Sequence, residues 1–293
     1  MNSASGCSRL EAEVARIIGG IGTSHIPAIG LAMAKNQYRD PYWKPFFDAY
    51  QPVRAWLGET RPTVAVVVYN DHGLNFFLDK MPTFAVGAAT EYCNADEGWG
   101  LPTQRPFPGN AAMSWHLIEQ LAAADFDLTT CQEMFVDHGF VVPMQLLWPD
   151  APSWPVRTIP IHVNTVQHPL PSPARCLKFG EVLGRAIESW PANERVVVLG
   201  TGGLSHQLDG RRAGFINKPF DLYCLEKIVH EPELLARYSI RDLIEFAGTQ
   251  GPELIQWLVM RGALGAEVRK LESNYHVPIS NTGSGLLLLE KAA

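Results

Sequence analysis

The chain has 293 residues, of which 46% are hydrophobic and 18% are charged, so its composition excludes a disordered or fibrous protein. A formal net charge of −6 gives no basic footprint for nucleic acid, and no apolar stretch approaches the length that crosses a bilayer. We therefore expect a soluble protein that binds neither nucleic acid nor a membrane.

Strand-like and helix-like segments alternate along the chain. Residues 1–14 are a polar lead-in, and residues 15–293 are predicted to form a single domain. This alternation predicts an α/β fold with a mixed, mostly parallel central sheet flanked by helices on both faces. In chain order the predicted elements are strand Ala15–Ile21, helix Pro45–Thr60, strands Thr63–Tyr69 and Thr83–Gly87, helix Ala111–Ala124, strands Phe126–Thr130 and Val156–Val163, helix Ala174–Trp190, strand Arg195–Leu199, a helical region over 219–262, and a turn and strand within Ser280–Glu290.

The longest predicted loop, Glu97–Gly109 (EGWGLPTQRPFPG), is rich in Gly and Pro. Loops of this length without regular structure are usually functional or mobile, so we expect this one to serve a function or to move. A further turn is predicted at Val136–Gly139, where Asp137 and His138 stand side by side.

The five cysteines are dispersed along the chain and form no CxxC pair. An odd and dispersed set argues against a disulfide framework and predicts a reducing, cytoplasmic location. Met1–Ala15 has no apolar core, so a secretory signal is not predicted either. Without a close thiolate pair, any metal ligands should be histidines and carboxylates.

Three histidines each follow a strand-like apolar run. Side chains just beyond the carboxyl ends of parallel strands converge on one crevice, and neutral imidazole is the commonest protein ligand for transition metals. A single histidine is as often a surface or core residue, but three in the same context predict a metal site. They are His25 after Ala15–Ile21, His72 after Thr63–Tyr69, and His206 after Arg195–Leu199.

Two histidines and one carboxylate on one face of a metal leave positions open for substrate and O₂, as in non-haem Fe(II) oxygenases. His25 and His72 are the natural imidazole pair, but spacing alone does not choose the carboxylate. Glu253, for example, is equally explained as a helix-start carboxylate that the helix dipole favours. The candidates are Asp71, Glu97, Asp137, Asp209, Glu245 and Glu253.

The adjacent Ser205 and His206 raise a rival interpretation, nucleophilic catalysis by a serine hydrolase. The surrounding residues do not match the GxSxG pattern of a nucleophile elbow, and adjacent Ser and His side chains need not face one another. A serine hydrolase is therefore a remote alternative.

Several segments of the chain resemble the class III extradiol ring-cleaving dioxygenases, and the resemblance extends over essentially Ala15–Glu290. The blocks GTGGLSHQ and ELIQWLVMRG are far more specific than a single HxP or DH pair. The resemblance is strongest to the protocatechuate 4,5-dioxygenase type, and the opening Ala15–Pro27 also resembles gallate dioxygenases. The matching segments are Thr23–Pro27, Tyr69–His72, Asp137–Gly139, Gly200–Gln207 and Glu253–Gly262.

The resemblance implies an Fe(II) centre in a catalytic domain that spans residues 15–293. Carried over position by position, the iron ligands are His25, His72 and Glu253. The acid/base histidine of the family falls on His206. A further histidine near the substrate falls on His138.

The resemblance also implies where the aromatic ring binds. Ser280, Asn281 and Thr282 lie in the segment that approaches the ring, and they offer neutral hydrogen-bond donors to a ring carboxylate. No lysine or arginine is placed there by the sequence, so charge neutralisation is expected from another loop or a second chain.

The implied activity is extradiol (meta) cleavage of a carboxylated catechol by O₂, giving a muconic semialdehyde in the catabolism of aromatic compounds. Protocatechuate is the first expected substrate, with gallate and 3-O-methylgallate as alternatives. The implied partners are a small α subunit and further copies in a higher oligomer. The alternative of another class is a non-catalytic metal-binding or partner-binding module on the same fold.

Overall fold

A computed structural model describes residues 14–149, 151–279 and 281–292 of the chain. The predicted polar lead-in therefore lies outside the described residues except for Val14, and Ser280 lies outside them as well. None of the helices in the described ranges is both long and apolar enough to cross a membrane.

Strands and helices alternate through most of the described chain. The strands are β1 (Arg16–Thr23), β2 (Val64–Tyr69), β3 (Phe84–Gly87), β4 (Glu91–Asn94), β5 (Phe107–Pro108), β6 (Thr129–Cys131), β7 (Phe135–Val136), β8 (Arg157–Val163), β9 (Arg195–Thr201), β10 (Val268–Ile279) and β11 (Thr282–Lys291). The helices are α1 (Pro27–Ala34), α2 (Lys44–Asp48), α3 (Gln51–Thr60), α4 (Ala111–Ala123), α5 (His138–Leu147), α6 (Pro173–Glu188), α7 (Lys218–His230), α8 (Pro232–Ala236), α9 (Ile240–Ala247) and α10 (Leu254–Ala263).

The central sheet has eight strands in the order β10-β11-β1-β9-β2-β8-β3-β6. Its centre is parallel, because β1 pairs with β9, β9 with β2, and β2 with β8 in the same direction. The antiparallel pairs lie towards the edges, at β1–β11, β10–β11 and β3–β8. A small second sheet, β5-β4-β7, lies apart from it. The predicted single α/β domain with a mixed, mostly parallel sheet is confirmed.

The central strands are buried on both faces, which explains their continuous apolar sequence. Every residue of β2 (VAVVVY) is buried. Alternate residues of a strand point to opposite faces, and Val64, Val66 and Val68 accordingly belong to one core cluster. Ala65, Val67 and Tyr69 belong to the other. Helices cover both cores, as expected for a parallel sheet.

Some predicted elements differ from the observed ones. The predicted helix Pro45–Thr60 is two helices, α2 and α3, and a proline lies in the first turn of each. The predicted strand Phe126–Thr130 is shifted to β6. Several elements have no counterpart in the predictions, namely α1, α5, β10 and the short strands β4, β5 and β7. Helix α5 is almost entirely buried and so lacks an amphipathic period, and edge strand β10 is too exposed to carry an apolar pattern.

Helix α10 packs against α6 through backbone rather than side chains. A Cβ atom on Gly180 would lie 2.1 Å from the carbonyl oxygen of Val259, and one on Gly184 would lie 2.4 Å from that of Ala263. Only glycine permits this close approach of two helices. The contact matters for the site because α10 begins directly after Glu253.

Candidate functional site

Three histidines converge at the carboxyl ends of the parallel strands; His25 and His72 are two of the three predicted from their strand ends, and the third member of the cluster is His138 in place of His206. His25 follows β1, His72 follows β2, and His138 is the first residue of α5. The ring centroids of His25 and His72 are 5.1 Å apart, those of His25 and His138 are 5.5 Å apart, and those of His72 and His138 are 4.0 Å apart. One nitrogen from each of the three lies within 4.8 Å of the other two. The three rings therefore form a single cluster able to hold a metal ion.

His72 is held by a buried carboxylate. The Oδ2 atom of Asp137 accepts hydrogen bonds from the backbone N–H of His72 at 2.7 Å and from its Nδ1 at 3.0 Å. Burial lowers the pKa of His72, but the carboxylate of Asp137 outweighs burial and raises it to about 9. This contact places a proton on Nδ1, so Nε2 is the nitrogen that a metal ion could use, an arrangement common in metal sites. The amide nitrogen of Asn70 lies 3.0 Å from that Nε2.

His138 is held in the same way by a carboxylate from the long loop. The two carboxylate oxygens of Glu97 accept from the backbone N–H and from Nδ1 of His138, each at 2.7 Å. Burial lowers the pKa of His138, and the neighbouring His72 lowers it further. The predicted functional loop Glu97–Gly109 thus contributes directly to the cluster. Its role is to orient a histidine.

His25 lies in the interior of the cluster and is 3% exposed. Its Nδ1 lies 3.0 Å from the hydroxyl of Thr201, at the end of β9. Its Nε2 is buried and has no hydrogen-bond partner among the described residues. A buried nitrogen without a partner costs free energy, so this atom is positioned for a ligand.

Glu253 lies beside His25, with 3.7 Å between its Oε2 and the Nε2 of the imidazole. The carboxylate is buried and accepts one backbone hydrogen bond, from Gly203 at 2.7 Å. Burial raises the pKa of Glu253, but His25 opposes this and holds the pKa well below its usual range. A buried anion with so few donors needs a cation nearby. A metal ion between Glu253 and Nε2 of His25 would satisfy both groups.

His206 lies on the other side of the cluster. Burial lowers its pKa, the negative charge of Glu253 opposes that effect, and the charges of His25 and His72 add to it. Its Nδ1 is buried without a hydrogen-bond partner among the described residues. Thr282 is buried and pairs with His206 through an antiparallel bridge. The turn predicted to approach the aromatic ring is therefore next to the predicted acid/base histidine.

Asn281 occupies the described part of that turn. It is exposed and has a left-handed φ of 63°. Its side-chain oxygen lies 3.4 Å from the position that a Cβ atom on Gly214 would take. The segment 210–215, which carries Arg211 and Arg212, thus runs alongside the turn, and no sequence pattern places this segment there.

The predicted carboxylates separate into clear roles. Asp71 accepts the backbone N–H groups of the turn that follows it, from Gly73 to Phe76, so its role is local. Glu245 and Asp209 lie at the surface, and Glu245 is 3.8 Å from Arg212. Asp137 and Glu97 hold histidines, and Glu253 remains the carboxylate with a free face toward His25. Imidazole and carboxylate together suit a divalent first-row metal.

The chain is similar in sequence to ring-cleaving dioxygenases. It is 41% identical over 196 residues to the gallate dioxygenase of Pseudomonas putida KT2440, covering 67% of this chain and 57% of that protein. It is 32% identical over 188 residues to a 2,3-dihydroxyphenylpropionate/2,3-dihydroxicinnamic acid 1,2-dioxygenase of Photorhabdus laumondii, covering 64% and 55% respectively. The chain thus spans little more than half the length of these relatives.

A solved structure also shares the fold. An uncharacterized protein of Escherichia coli K12 superimposes with a TM-score of 0.59 at 14% identity, covering 94% of this chain and all of that one. The family model described as the catalytic LigB subunit of aromatic ring-opening dioxygenase matches residues 19–285, which include the whole histidine cluster, Glu253 and His206. The chain therefore belongs to the LigB family of aromatic ring-opening dioxygenases.

Proposed function

We propose that the protein cleaves a carboxylated catechol by the extradiol route, using Fe(II) and O₂, and that gallate is its preferred substrate. The observation that carries the metal assignment is the buried pair of His25 and Glu253. An imidazole nitrogen without a partner faces an anionic carboxylate at 3.7 Å, beside a second imidazole whose tautomer is fixed. His25, His72 and Glu253 are the proposed ligands.

In this proposal gallate, an alternative in the sequence analysis, replaces protocatechuate as the first expected substrate. It is supported by the relative at 41% identity, which is named gallate dioxygenase. Protocatechuate and 3-O-methylgallate share the catechol and the carboxylate and are the next candidates. Asn281 and Thr282 are proposed to contact the ring substituents, together with Ser280, which lies outside the described residues.

Each residue of the cluster has a proposed task. His25, His72 and Glu253 would hold ferrous iron, which when bound would supply Lewis acidity and redox chemistry toward O₂. His206, whose lowered pKa keeps it neutral near pH 7, accepts a proton from a catechol hydroxyl and later returns it. His138, whose Nδ1–H is held by Glu97, presents Nε2 to the oxygen atoms of the substrate.

The experiment is an oxygen-uptake assay on protein purified anaerobically and loaded with ferrous iron. The panel is catechol, protocatechuate, gallate and 3-O-methylgallate, and the products are identified by absorbance and mass. We expect one O₂ per ring, extradiol products, and the highest kcat/KM with gallate. A diacid from intradiol cleavage, or equal activity with zinc in place of iron, would contradict the proposal.

The same assay separates the alternative of another class. A non-catalytic metal-binding module would take up iron with no oxygen consumption on any catechol. A strong preference for unsubstituted catechol would instead remove the carboxylate from the proposal while leaving the enzyme class in place.

The proposal includes a small α subunit that closes the site and excludes water, a known role for lids. It also includes assembly with further copies of the chain. We expect weak turnover by the isolated chain, rising when the small subunit is co-expressed. Full turnover of gallate by this chain alone would remove the need for that partner.

A further inference from the structure

A second buried carboxylate, Asp221 in α7, lies outside the proposed ligand set. It is 1% exposed and accepts three hydrogen bonds from the protein. Its Oδ1 accepts from the backbone N–H of Ser205 at 2.9 Å, and its Oδ2 accepts from the Ser205 hydroxyl at 2.5 Å and the Tyr275 hydroxyl at 2.6 Å. Burying a carboxylate is unfavourable unless such donors surround it, so this cluster has a specific structural purpose.

That purpose concerns Ser205, whose polar groups are all engaged. Besides the two bonds to Asp221, its carbonyl accepts from the backbone N–H of Gly283 at 2.9 Å. Its hydroxyl oxygen accepts from the backbone N–H of Asn217 at 2.9 Å. Ser205 is therefore fixed by contacts to α7, to β11 and to the segment that precedes α7. The residue that follows it is His206.

The imidazole of His206 is held differently from those of His72 and His138, which carboxylates orient. The Nδ1 atoms of His72 and His138 contact Asp137 and Glu97 directly. The Nδ1 of His206 has no such partner among the described residues. Within the described part of the chain, its hydrogen bonds are made by the backbone, with the N–H donating to Ala247 at 2.6 Å and the carbonyl accepting from Gln250 at 3.2 Å. The direction of this ring is therefore set by the main chain at 205–206.

We infer that Asp221 is a positioning residue for His206, acting through Ser205 on the main chain that carries the imidazole. The inference rests on the proposed function, in which His206 moves the catechol proton. The Ser205 N–H, the Ser205 hydroxyl and the Tyr275 hydroxyl all donate to Asp221. Only a carboxylate accepts all three hydrogen bonds without requiring one hydroxyl to become an acceptor. A main chain held in this way keeps the His206 ring within reach of the substrate, even though its Nδ1 has no hydrogen-bond partner among the described residues.

Tyr275 extends the arrangement to the substrate side. It lies on β10, the strand that precedes Asn281 in the chain, and its hydroxyl shares Oδ2 of Asp221 with Ser205. Gly283 packs so closely on this pair that a Cβ atom there would lie 2.4 Å from Oδ2 and 2.6 Å from the Tyr275 hydroxyl. Asp221 thus joins the His206 segment to both strands that flank the turn.

The test is a double-mutant cycle on kcat with iron-loaded protein and gallate, using Asp221→Asn and His206→Gln. A displacement of the imidazole by about 1 Å costs roughly 100-fold, so we expect Asp221→Asn to lower kcat by about 10- to 100-fold with iron content unchanged. In the His206→Gln background the same substitution should lower kcat by less than about 3-fold, because no imidazole remains to be positioned.

Losses that multiply in the double variant would overturn the inference while leaving the proposed function in place. Full activity of His206→Gln would overturn both. Glu194→Gln is the matched control, since Glu194 is also buried and accepts a hydroxyl hydrogen bond, from Thr63 at 2.6 Å, but it precedes β9 at the amino ends of the parallel strands, away from the site. It should lower stability without changing kcat.

Should Asp221→Asn fail to fold, Tyr275→Phe repeats the cycle by removing a single hydroxyl from Oδ2. We expect a smaller loss of kcat, about 3- to 10-fold, that again vanishes in the His206→Gln background. A Tyr275→Phe protein with wild-type kcat, or with a loss that persists without His206, would refute the positioning role.

Discussion

Replacing Gly202 by alanine should displace the proposed metal ligands by a distance that the structure defines. A Cβ atom at this position would lie 2.7 Å from Oε2 of Glu253 and 3.1 Å from Cε1 of His25. Ordinary contacts begin at 3.4 Å, so the carboxylate oxygen must move by about 0.7 Å. Metal–ligand distances tolerate only about 0.2 Å. We therefore expect metal affinity to fall sharply, and ring cleavage with it.

The substitution also strains the backbone, because Gly202 has a φ of +93°. A left-handed conformation costs an alanine about 1–2 kcal/mol of stability, independent of any effect on the metal. Gly265→Ala is the matched control: its φ is +78°, no atom lies within 4 Å of its added Cβ, and it lies beyond the far end of α10. It should lose similar stability and keep its metal.

The assays are urea denaturation for the free energy of unfolding and anaerobic titration with ferrous iron for affinity. Gly202→Ala should show a loss of iron affinity that Gly265→Ala does not share. A Gly202→Ala protein that binds iron and turns over gallate as the wild type does would refute the reasoning, since Glu253 and His25 then could not both be ligands.

Three further results are expected. His25→Ala and His72→Ala should each abolish iron binding and oxygen uptake, and iron retained at the wild-type level in either would remove that residue from the ligand set. Asp137→Asn should weaken iron affinity by about 10- to 100-fold, because the Nδ1–H of His72 loses its carboxylate; an unchanged titration would show that the tautomer does not depend on it. Burial raises the pKa of Asp221 from 3.8 to about 6 in the folded protein. Protonation of Asp221 therefore stabilises the fold below pH 4, by up to about 3 kcal/mol. This stabilisation is lost as the pH rises through 6. Unfolding at pH 4.5, 5.5 and 7 should therefore show a flatter profile for Asp221→Asn, and parallel profiles would contradict the assignment.

The central strands and the histidines that follow them are predictable because continuous apolar runs are a local signal. Runs such as TVAVVVY indicate buried parallel strands, and the carboxyl ends of such strands meet at one edge. The sequence alone therefore suffices to place His25 and His72 together. It does not suffice for edge strand β10 and buried helix α5, since exposure of one and burial all round the other remove the periodic pattern.

The division of labour among the carboxylates depends on tertiary contacts. Asp71 and Asp137 both stand next to a histidine in the sequence, yet Asp71 caps its own turn while Asp137 reaches back 65 residues to His72. Glu97 reaches His138 across 41 residues. The pairing of each carboxylate with its histidine depends on how the loops pack above the sheet. No local sequence pattern encodes this packing.

The glycine contact between α6 and α10 has a consequence for how metal binding proceeds. Gly180 and Gly184 bring the two helix backbones together with no side chain between them. Such a contact has no rotamers to rearrange, and α10 cannot slide without breaking it. The position of Glu253, at the start of that helix, is thereby set when the chain folds. With Glu253 as a proposed ligand, we expect an arriving ion to meet a carboxylate already in place and to spend little of its binding free energy on ordering the helix.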